Sequence, residues 1–315
     1  MYKRNLSSLA RAAAFVGAGL FVSSSAHALN FTVLFGNDGT AGNFTAAQQA
    51  AITGGLNTIA GSFTDAVTVN LHIMNSANGL GGSSQNLYVD TYAGYRTALI
   101  ADKKSALDNQ AVATLGAANP FGNRQVAFTA ALGRALGYNT PGATTDGSGT
   151  FDCDIFLNAG LCFTGAAVAG KYDLAAVAMH EADESMGFGG PGSLIGTNLI
   201  GSYVGPQDLF RYKSNGVRTG LTNVNGEYFS VDGGATNIRT FNNHANGGDA
   251  ADWASDGNAF VQNAFGTPGV AIAYSGKEVA AGDAIGWDIK TTPEPATMVA
   301  MALGVAGIVR RRKKA

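Results

Sequence analysis

Hydrophobic and polar positions along the chain form patterns that predict strands and helices in a mixed order. Residues 29–36 (L-N-F-T-V-L-F-G) and residues 66–74 (A-V-T-V-N-L-H-I-M) alternate in hydrophobicity as strands do. The intervening residues 45–63 carry an apolar stripe at helical spacing. The pattern therefore predicts a strand, a helix and a second strand, and a right-handed crossover would make the two strands parallel neighbours.

The later patterns indicate an α+β protein. Residues 92–115 predict a helix in two pieces, whereas residues 124–137 fit a strand and a helix equally well. Residues 152–163 (D-C-D-I-F-L-N-A-G-L-C-F) predict a strand. Residues 207–240 are rich in glycine and predict a hairpin, and residues 278–289 predict a closing helix and a final strand.

Residues 172–190, Y-D-L-A-A-V-A-M-H-E-A-D-E-S-M-G-F-G-G, combine a helical pattern with side chains that carry chemistry. Asp173 is placed to cap the helix and Gly187 to end it, which predicts a buried helix of about four turns. His180 and Glu184 are four residues apart on this helix. Their side chains leave the same face and can converge on one ion.

The residue types on this helix indicate zinc chemistry. An imidazole nitrogen and a carboxylate oxygen are both ordinary zinc ligands. Glu181 stands where the zinc-protease motif H-E-x-x-H keeps its general base, although the motif here reads H-E-x-x-E. The alternative is a helix end with a structural histidine, but a His-Glu pair after an apolar run is costly to bury without a partner.

Residues 1–28 have the pattern of a secretory signal peptide. Basic residues flank an apolar stretch, which ends in an A-x-A arrangement at Ala26 and Ala28. We therefore expect export through the Sec translocon and cleavage after Ala28.

Residues 291–315 contain a Pro-Glu-Pro triplet, roughly 14 apolar residues and a terminal basic cluster. This predicts a short transmembrane segment held at the cytoplasmic face. The segment resembles the PEP-CTERM sorting tail of Gram-negative bacteria, with Pro293, Glu294 and Pro295 matching the motif. The resemblance implies processing by an exosortase and a place in the cell envelope, at the outer surface or in the secreted fraction.

Charge narrows the range of partners. The chain has 20 lysines and arginines against 22 acidic residues, but three of the basic residues lie in the leader and five in the tail. The part between them is acidic by about ten charges, which argues against a nucleic-acid partner. We expect this part to form one folded unit with two lobes, residues 29–190 and residues 191–290.

Cys153 and Cys162 are the two cysteines of the chain, and export would bring them to an oxidising compartment. We therefore expect a disulfide between them. Closing so short a loop would contribute about 2–3 kcal/mol in the chain-entropy description. Two buried thiols are the alternative.

The order of these parts is similar to the N-terminal lobe of matrixin-like metzincin proteases, and closer to secreted bacterial metalloprotease-like proteins with PEP-CTERM tails. The similarity rests on the strand-helix-strand opening, the D-I-F-L-N strand and K-Y-D-L-A-A-V-A-M-H-E before G-F-G. It implies a metzincin-like twisted mixed sheet with an active-site helix, followed by a glycine-rich lobe that contains β-structure. His180 would be the first metal ligand, Glu181 the general base and Gly187 the end of the helix. The strand before the helix would be the sheet edge that binds an extended peptide, through Asp154, Ile155, Phe156, Leu157 and Asn158.

The chain departs from the metzincin pattern in three places. Glu184 replaces the second histidine, Gly190 stands where the third belongs, and no methionine follows Gly187 before the tail. A third ligand must then come from later in the chain. Asp208 and His244 are the candidates, with His244 slightly favoured on ligand chemistry.

A second ion is suggested by residues 242–256, N-N-H-A-N-G-G-D-A-A-D-W-A-S-D. Asp249, Asp252 and Asp256 lie close together in this glycine- and asparagine-rich loop, and spaced carboxylates can hold calcium. The spacing fits no standard calcium loop, so a solvated acidic turn is the alternative.

Two functions fit these observations. The first is a secreted zinc-dependent endopeptidase that hydrolyses peptide bonds with metal-activated water and Glu181 as general base. The second is a non-catalytic cell-surface or extracellular-matrix protein that keeps the protease-like fold and contacts the polysaccharide matrix. The His-Glu pair on a buried helix favours the first, and the altered ligand set favours the second.

Overall fold

The computed structural model describes residues 28–141, 151–189 and 203–290. The predicted signal peptide, the position of Gly190 and the predicted sorting tail with its short transmembrane segment lie outside these residues. Within the described ranges, no helix has the length and apolar character that crossing a membrane requires.

Helices and several small mixed sheets make up the described residues, which confirms the α+β class. The helices are α1 (Ala46–Ala60), α2 (Tyr92–Asp102), α3 (Ala106–Ala113), α4 (Ala130–Ala135), α5 (Leu174–Ser185) and α6 (Gly276–Ile285). The strands are β1 (Asn30–Asn37), β2 (Thr68–Asn75), β3 (Gly81–Gln85), β4 (Leu87–Asp90), β5 (Gln125–Thr129), β6 (Cys153–Leu157), β7 (Cys162–Phe163), β8 (Tyr172–Asp173), β9 (Tyr203–Val204), β10 (Arg211–Ser214), β11 (Val217–Arg218), β12 (Tyr228–Phe229) and β13 (Arg239–Thr240).

The main sheet has the strand order β1-β2-β6-β3. β1 and β2 are parallel neighbours, paired from Asn30 opposite Thr68 to Asn37 opposite Asn75. This confirms the predicted strand-helix-strand opening. β2 also pairs in parallel with β6, and β6 pairs antiparallel with β3.

β6 lies inside this sheet, so the expectation that it forms the sheet edge is wrong. Its two hydrogen-bonding sides are taken by β2 and β3. Four of the residues predicted to line that edge, Asp154, Ile155, Phe156 and Leu157, therefore lie inside the sheet, and Asn158 follows the strand directly. The edge strand beside β6 is β3, whose sequence G-G-S-S-Q has none of the alternating hydrophobicity by which strands are recognised.

One face of the main sheet is covered by α1 and α5. Ile73 of β2 and Ile155 of β6 are fully buried on this face. α1 and α5 touch closely at Gly55, where a Cβ atom would lie 2.9 Å from the carbonyl oxygen of Ala175. Because Gly55 has no side chain, α5 can pack between α1 and the edge strand β3.

α5 has the ends that its sequence predicts. The carboxylate of Asp173 accepts a hydrogen bond from the N–H of Ala175 at 3.0 Å, an N-cap contact that stabilises a helix by about 1 kcal/mol. Gly187 follows the helix with φ of +97°, the left-handed conformation that glycine adopts without strain. The helix prediction is confirmed, and its caps fix which side chains face β3.

The stretch whose pattern fits both a strand and a helix forms both. Residues 124–137 contain β5 followed directly by α4, and the hydroxyl of Thr129 at the junction accepts from the N–H of Leu132 at 3.3 Å. β5 lies between β4 and β9 in a small sheet of its own. The predicted division of residues 92–115 into two helices is confirmed by α2 and α3.

The described residues after 203 form an antiparallel sheet, β11-β10-β12-β13, and long irregular segments. The turn between β12 and β13 contains Asp232 and Gly233, as the hairpin pattern predicts. The segment after α6 packs against the end of α5. The indole N–H of the fully buried Trp287 donates to the carbonyl oxygen of Met186 at 2.8 Å.

The predicted disulfide is wrong, because Cys153 and Cys162 are free thiols. Cys153 lies within the main sheet, whereas Cys162 begins β7, which pairs with β8 in a separate small sheet. Burial raises the pKa of Cys162 to about 11 and holds the pKa of Cys153 well above its usual range. Both cysteines are therefore protonated structural side chains.

A cluster of carboxylic acids lies where α3 meets α6. The hydroxyl of Ser105 donates to Oδ2 of Asp283 at 2.6 Å, and the N–H of Asp288 donates to Asp65 at 2.8 Å. Burial is the main cause that raises the pKa of Asp65, Asp102 and Asp283 to about 7. The ionisable members of the cluster are Asp65, Asp102, Lys104, Asp108, Asp283 and Asp288.

The cluster predicts that the protein loses stability as the pH rises. An aspartate with a raised pKa keeps a proton that the unfolded chain has already released above about pH 4, so each ionisation up to about pH 7 disfavours the folded state. We expect Tm to fall by several degrees between pH 5 and pH 8, measured by calorimetry. Asp283→Asn should flatten this fall, whereas Asp38→Asn should leave it unchanged, because the pKa of Asp38 is lowered and this carboxylate stays ionised over the whole range. Equal pH slopes for wild type and Asp283→Asn would contradict the assignment.

Candidate metal centre

His180 is held so that one ring nitrogen faces a cleft between α5 and the later loops. Its Nδ1–H donates to the carbonyl oxygen of Val261 at 2.9 Å. Because a carbonyl only accepts hydrogen bonds, the proton of a neutral imidazole belongs on Nδ1, and Nε2 then carries the lone pair that a metal ion binds. Histidines that bind metals are commonly oriented by such a bond from the other ring nitrogen.

Two carboxylates face that lone pair. Nε2 of His180 lies 4.0 Å from Oε1 of Glu184, one turn further along α5, and 3.7 Å from Oδ2 of Asp252. Each residue offers one ligand atom, and the three atoms lie within 4.8 Å of one another. Three protein ligands that leave a further position open are typical of catalytic metal sites.

The burial of these groups and their charge are what a bound cation would balance. Glu184 is 6% exposed and Asp252 is 2% exposed. Oδ1 of Asp252 has no hydrogen-bond partner in the described part of the chain. Burial raises the pKa of Asp252 well above its usual range, and the nearby charge of Glu184 raises it further. An unpaired buried charge costs several kcal/mol, so the donor set and the unmet charge together suit a divalent ion.

The structure brings neither predicted third ligand to this group. Asp208 is fully buried and pairs with Arg211 at 3.0 Å. Arg211 also donates to the carbonyl oxygen of Ala250 at 2.8 Å, so Asp208 supports the loop that carries Asp252. His244 donates through Nδ1 to a backbone carbonyl in the same loop at 3.1 Å. Both side chains hold the loop in place, and Asp252 takes the position in the metal group.

The acidic loop does not form the predicted calcium site, because its carboxylates go to three different places. Asp252 joins the metal group, and Asp249 lines the cleft. Asp256 pairs with Arg239 at 3.0 Å, and the hydrogen bond from this guanidinium lowers the pKa of Asp256 to about 2. From the sequence, Asp252 is predicted only as a possible calcium ligand. The useful signal is the run A-A-D-W, in which an aspartate between buried apolar neighbours needs a partner.

β3 runs beside α5 with alternate side chains turned toward the helix. At Gly81 a Cβ atom would lie 2.3 Å from Oε1 of Glu181 and 2.8 Å from Cγ1 of Val177. Two residues further along, the hydroxyl of Ser83 is hydrogen-bonded to Oε2 of Glu184. The glycine therefore allows the edge strand to reach Glu181 and Glu184 of α5.

Glu181 lies beside the metal group and is 5% exposed. Burial raises its pKa well above the usual range, and the charge of Glu184 raises it further. A carboxyl group with a raised pKa can hold a proton that it has accepted, which is what a general base requires. Its position next to the first ligand is the one that the motif predicts.

The cleft over these groups has a volume of about 370 Å³, enough for a large side chain. Its ionisable lining includes His180, Glu181, Glu184, Asp249 and Asp252. Its apolar lining includes Leu80, Tyr172, Val177, Phe260, Phe265 and Ile272. The edge strand β3 borders the cleft at Gly81, Gly82 and Ser83. The cleft thus combines acidic groups, an apolar wall and a strand edge.

Comparison with protein families finds a PEP-CTERM protein-sorting motif at residues 291–313, which confirms the resemblance of the tail. The motif implies an exported protein that an exosortase processes for the cell surface. No curated protein matches the chain, and no solved structure matches it. The motif covers the tail alone, so the function of the cleft must be argued from its geometry.

Asp252→Asn should remove bound metal as effectively as His180→Ala, because each change deletes one of three ligands. We expect affinity to fall by more than about 100-fold, beyond the loss typical of residues that only support a ligand. Elemental analysis after dialysis measures the remaining metal. His244→Ala and Asp256→Asn change the same loop and should retain it. Metal lost from His244→Ala and kept in Asp252→Asn would refute the ligand set.

Gly81→Ala should destabilise the protein, because the new Cβ would collide with Glu181 and Val177. Overpacking of this kind costs about 1–3 kcal/mol of the free energy of unfolding. Gly82→Ala is the matched control, since a Cβ there meets nothing within 4 Å. Denaturant unfolding of the two variants gives the comparison. Equal stabilities would show that β3 does not approach α5 as closely as described.

Proposed function

We propose that this protein is a zinc-dependent endopeptidase that acts after export from the cell. The observation that carries the proposal is the position of Glu181, beside a three-residue metal group and next to the edge strand β3. A buried acid near metal ligands is compatible with a structural role. An acid, a metal group and a strand edge around one cleft favour hydrolysis of an extended peptide.

Zinc is the ion that we propose for the site. Imidazole nitrogen and carboxylate oxygen both bind zinc, and hydrolytic zinc sites use three protein ligands. His180, Glu184 and Asp252 would hold the ion. When bound, zinc activates water and polarises a carbonyl group as a Lewis acid.

Glu181 acts as the general base in this proposal. Its carboxylate takes a proton from the attacking water and later gives it to the amine nitrogen as the peptide C–N bond breaks. The burial that raises its pKa favours retention of the proton between the two transfers. The Nδ1–H bond from His180 to Val261 keeps the first ligand fixed while these protons move.

β3 is the surface that aligns the substrate. Its outer side has no strand partner among the described residues. An extended peptide can pair with such an edge through backbone hydrogen bonds, which give affinity without requiring a particular side chain. Gly82, where a Cβ atom would meet nothing within 4 Å, leaves room for the peptide backbone at the point where β3 borders the cleft.

A non-catalytic surface protein is the second candidate, and the carboxylate at position 184 favours it. Glu184 and Asp252 together neutralise the two charges of a divalent ion, which weakens its activation of water. A structural ion bound by His180, Glu184 and Asp252 would fasten α5 to the later loop. Such a protein would meet the polysaccharide matrix at the cell surface and cleave nothing.

Glu181→Gln should abolish peptide hydrolysis and leave the zinc content unchanged. Glutamine keeps the shape of the side chain but accepts no proton, and a general base contributes about 10²–10⁴-fold to the rate. Cleavage of a peptide library, followed by mass spectrometry, gives kcat/KM, and elemental analysis gives the zinc content.

Glu184→Gln provides the contrast, because loss of a ligand should remove both zinc and hydrolysis. Full activity in Glu181→Gln would eliminate the proposed base. A wild-type protein that binds zinc and cleaves no peptide in the library would favour the second candidate.

A further inference from the structure

Alternate residues of β3 form a row along α5. Gly81, Ser83 and Gln85 stand opposite the buried residues of β6, on the face of the sheet that α5 covers. Ser84 lies between them in sequence and points to the other face, since successive side chains of a strand alternate. Ser83 is therefore the residue of the row that contacts Glu184, the second member of the metal group.

The hydroxyl of Ser83 lies between two acceptors, and their chemistry decides which of them takes its proton. Its oxygen is hydrogen-bonded to Oε2 of Glu184 and lies 3.0 Å from Oε1 of the Gln85 side chain. A hydroxyl has one proton, and a carboxylate accepts it more strongly than a neutral amide oxygen does. Ser83 therefore donates to Glu184.

We infer that Ser83 is a positioning residue that restricts Glu184 to binding metal through one oxygen. Oε2 is engaged by the hydroxyl, and Oε1 is the atom that faces Nε2 of His180 at 4.0 Å. The inference rests on the proposed function in so far as Glu184 is a ligand. It adds that the edge strand of the sheet holds this ligand in place.

The burial of Glu184 explains why a hydroxyl is needed at position 83. The side chain is 6% exposed, so water cannot readily replace a lost donor at Oε2. Without the hydroxyl, Oε2 would either turn toward the ion or lose this hydrogen bond. Loss of the bond would take one donor from a buried carboxylate, which costs free energy. Either outcome changes the metal site without removing a ligand.

The test compares Ser83→Ala, Ser83→Thr and Ser84→Ala in the full-length chain. Zinc affinity is measured by competition with a chelator, and the cobalt-loaded proteins are compared by visible absorption, which reports coordination. Ser83→Ala should weaken zinc binding about 10–100-fold, the range found for residues that orient a ligand. It should also change the cobalt spectrum. Ser83→Thr keeps the hydroxyl and should restore both properties, whereas Ser84→Ala should remain within about twofold of wild type.

The outcomes separate this inference from the proposed function. Equal zinc affinities and spectra for Ser83→Ala and Ser84→Ala would overturn the role of Ser83 while leaving the metal site intact. The expected pattern in a protein that cleaves no peptide would support the role of Ser83 and refute the peptidase. A wild-type chain that binds neither zinc nor cobalt would overturn both.

Discussion

Two carboxylates and an imidazole must lie within 4.8 Å of one another in the protein interior, and much of the structure around the cleft serves that requirement. Glu184 and Asp252 would repel each other there, and isolated buried charges cost several kcal/mol each. The arrangement is favourable only if a cation balances the charges or if protons neutralise them. The raised pKa of Asp252 expresses this conflict.

Bringing the third candidate ligand into place requires a rigid loop, because Asp252 is far from α5 in sequence. Arg211, fully buried with Asp208, binds the carbonyl oxygen of Ala250. The N–H of Asn242 donates to the carbonyl oxygen of Asp252 at 2.8 Å. A buried arginine is tolerated because the paired aspartate balances its charge and the loop carbonyl takes a further donor. Asp208 has the chemistry of a metal ligand, but here it serves to position Asp252.

Local interactions made half of the candidate site predictable. His180, Glu181 and Glu184 lie on one helix, whose spacing and caps are encoded by neighbouring residues. The order of β1, α1 and β2 follows from the same kind of local pattern.

The remaining parts depend on contacts between distant segments. The interior position of β6 follows from pairing with β3, whose glycine- and serine-rich sequence gives no strand signal. Asp252 is recognisable as an acidic residue, but its partner His180 is brought to it by folding alone. Ser83 has no feature in the sequence that distinguishes it from Ser84.

The carboxylate at position 184 also accounts for the chemistry of the edge strand. A histidine ligand is neutral and presents one lone pair, so its orientation is set by the opposite ring nitrogen. A carboxylate brings a negative charge and two oxygens, either or both of which can bind an ion. The Ser83 hydroxyl on Oε2 draws charge toward the atom that faces away from His180 and leaves Oε1 as the ligand. The hydroxyl of β3 therefore offsets both consequences of a carboxylate at this position, its charge and its freedom of coordination.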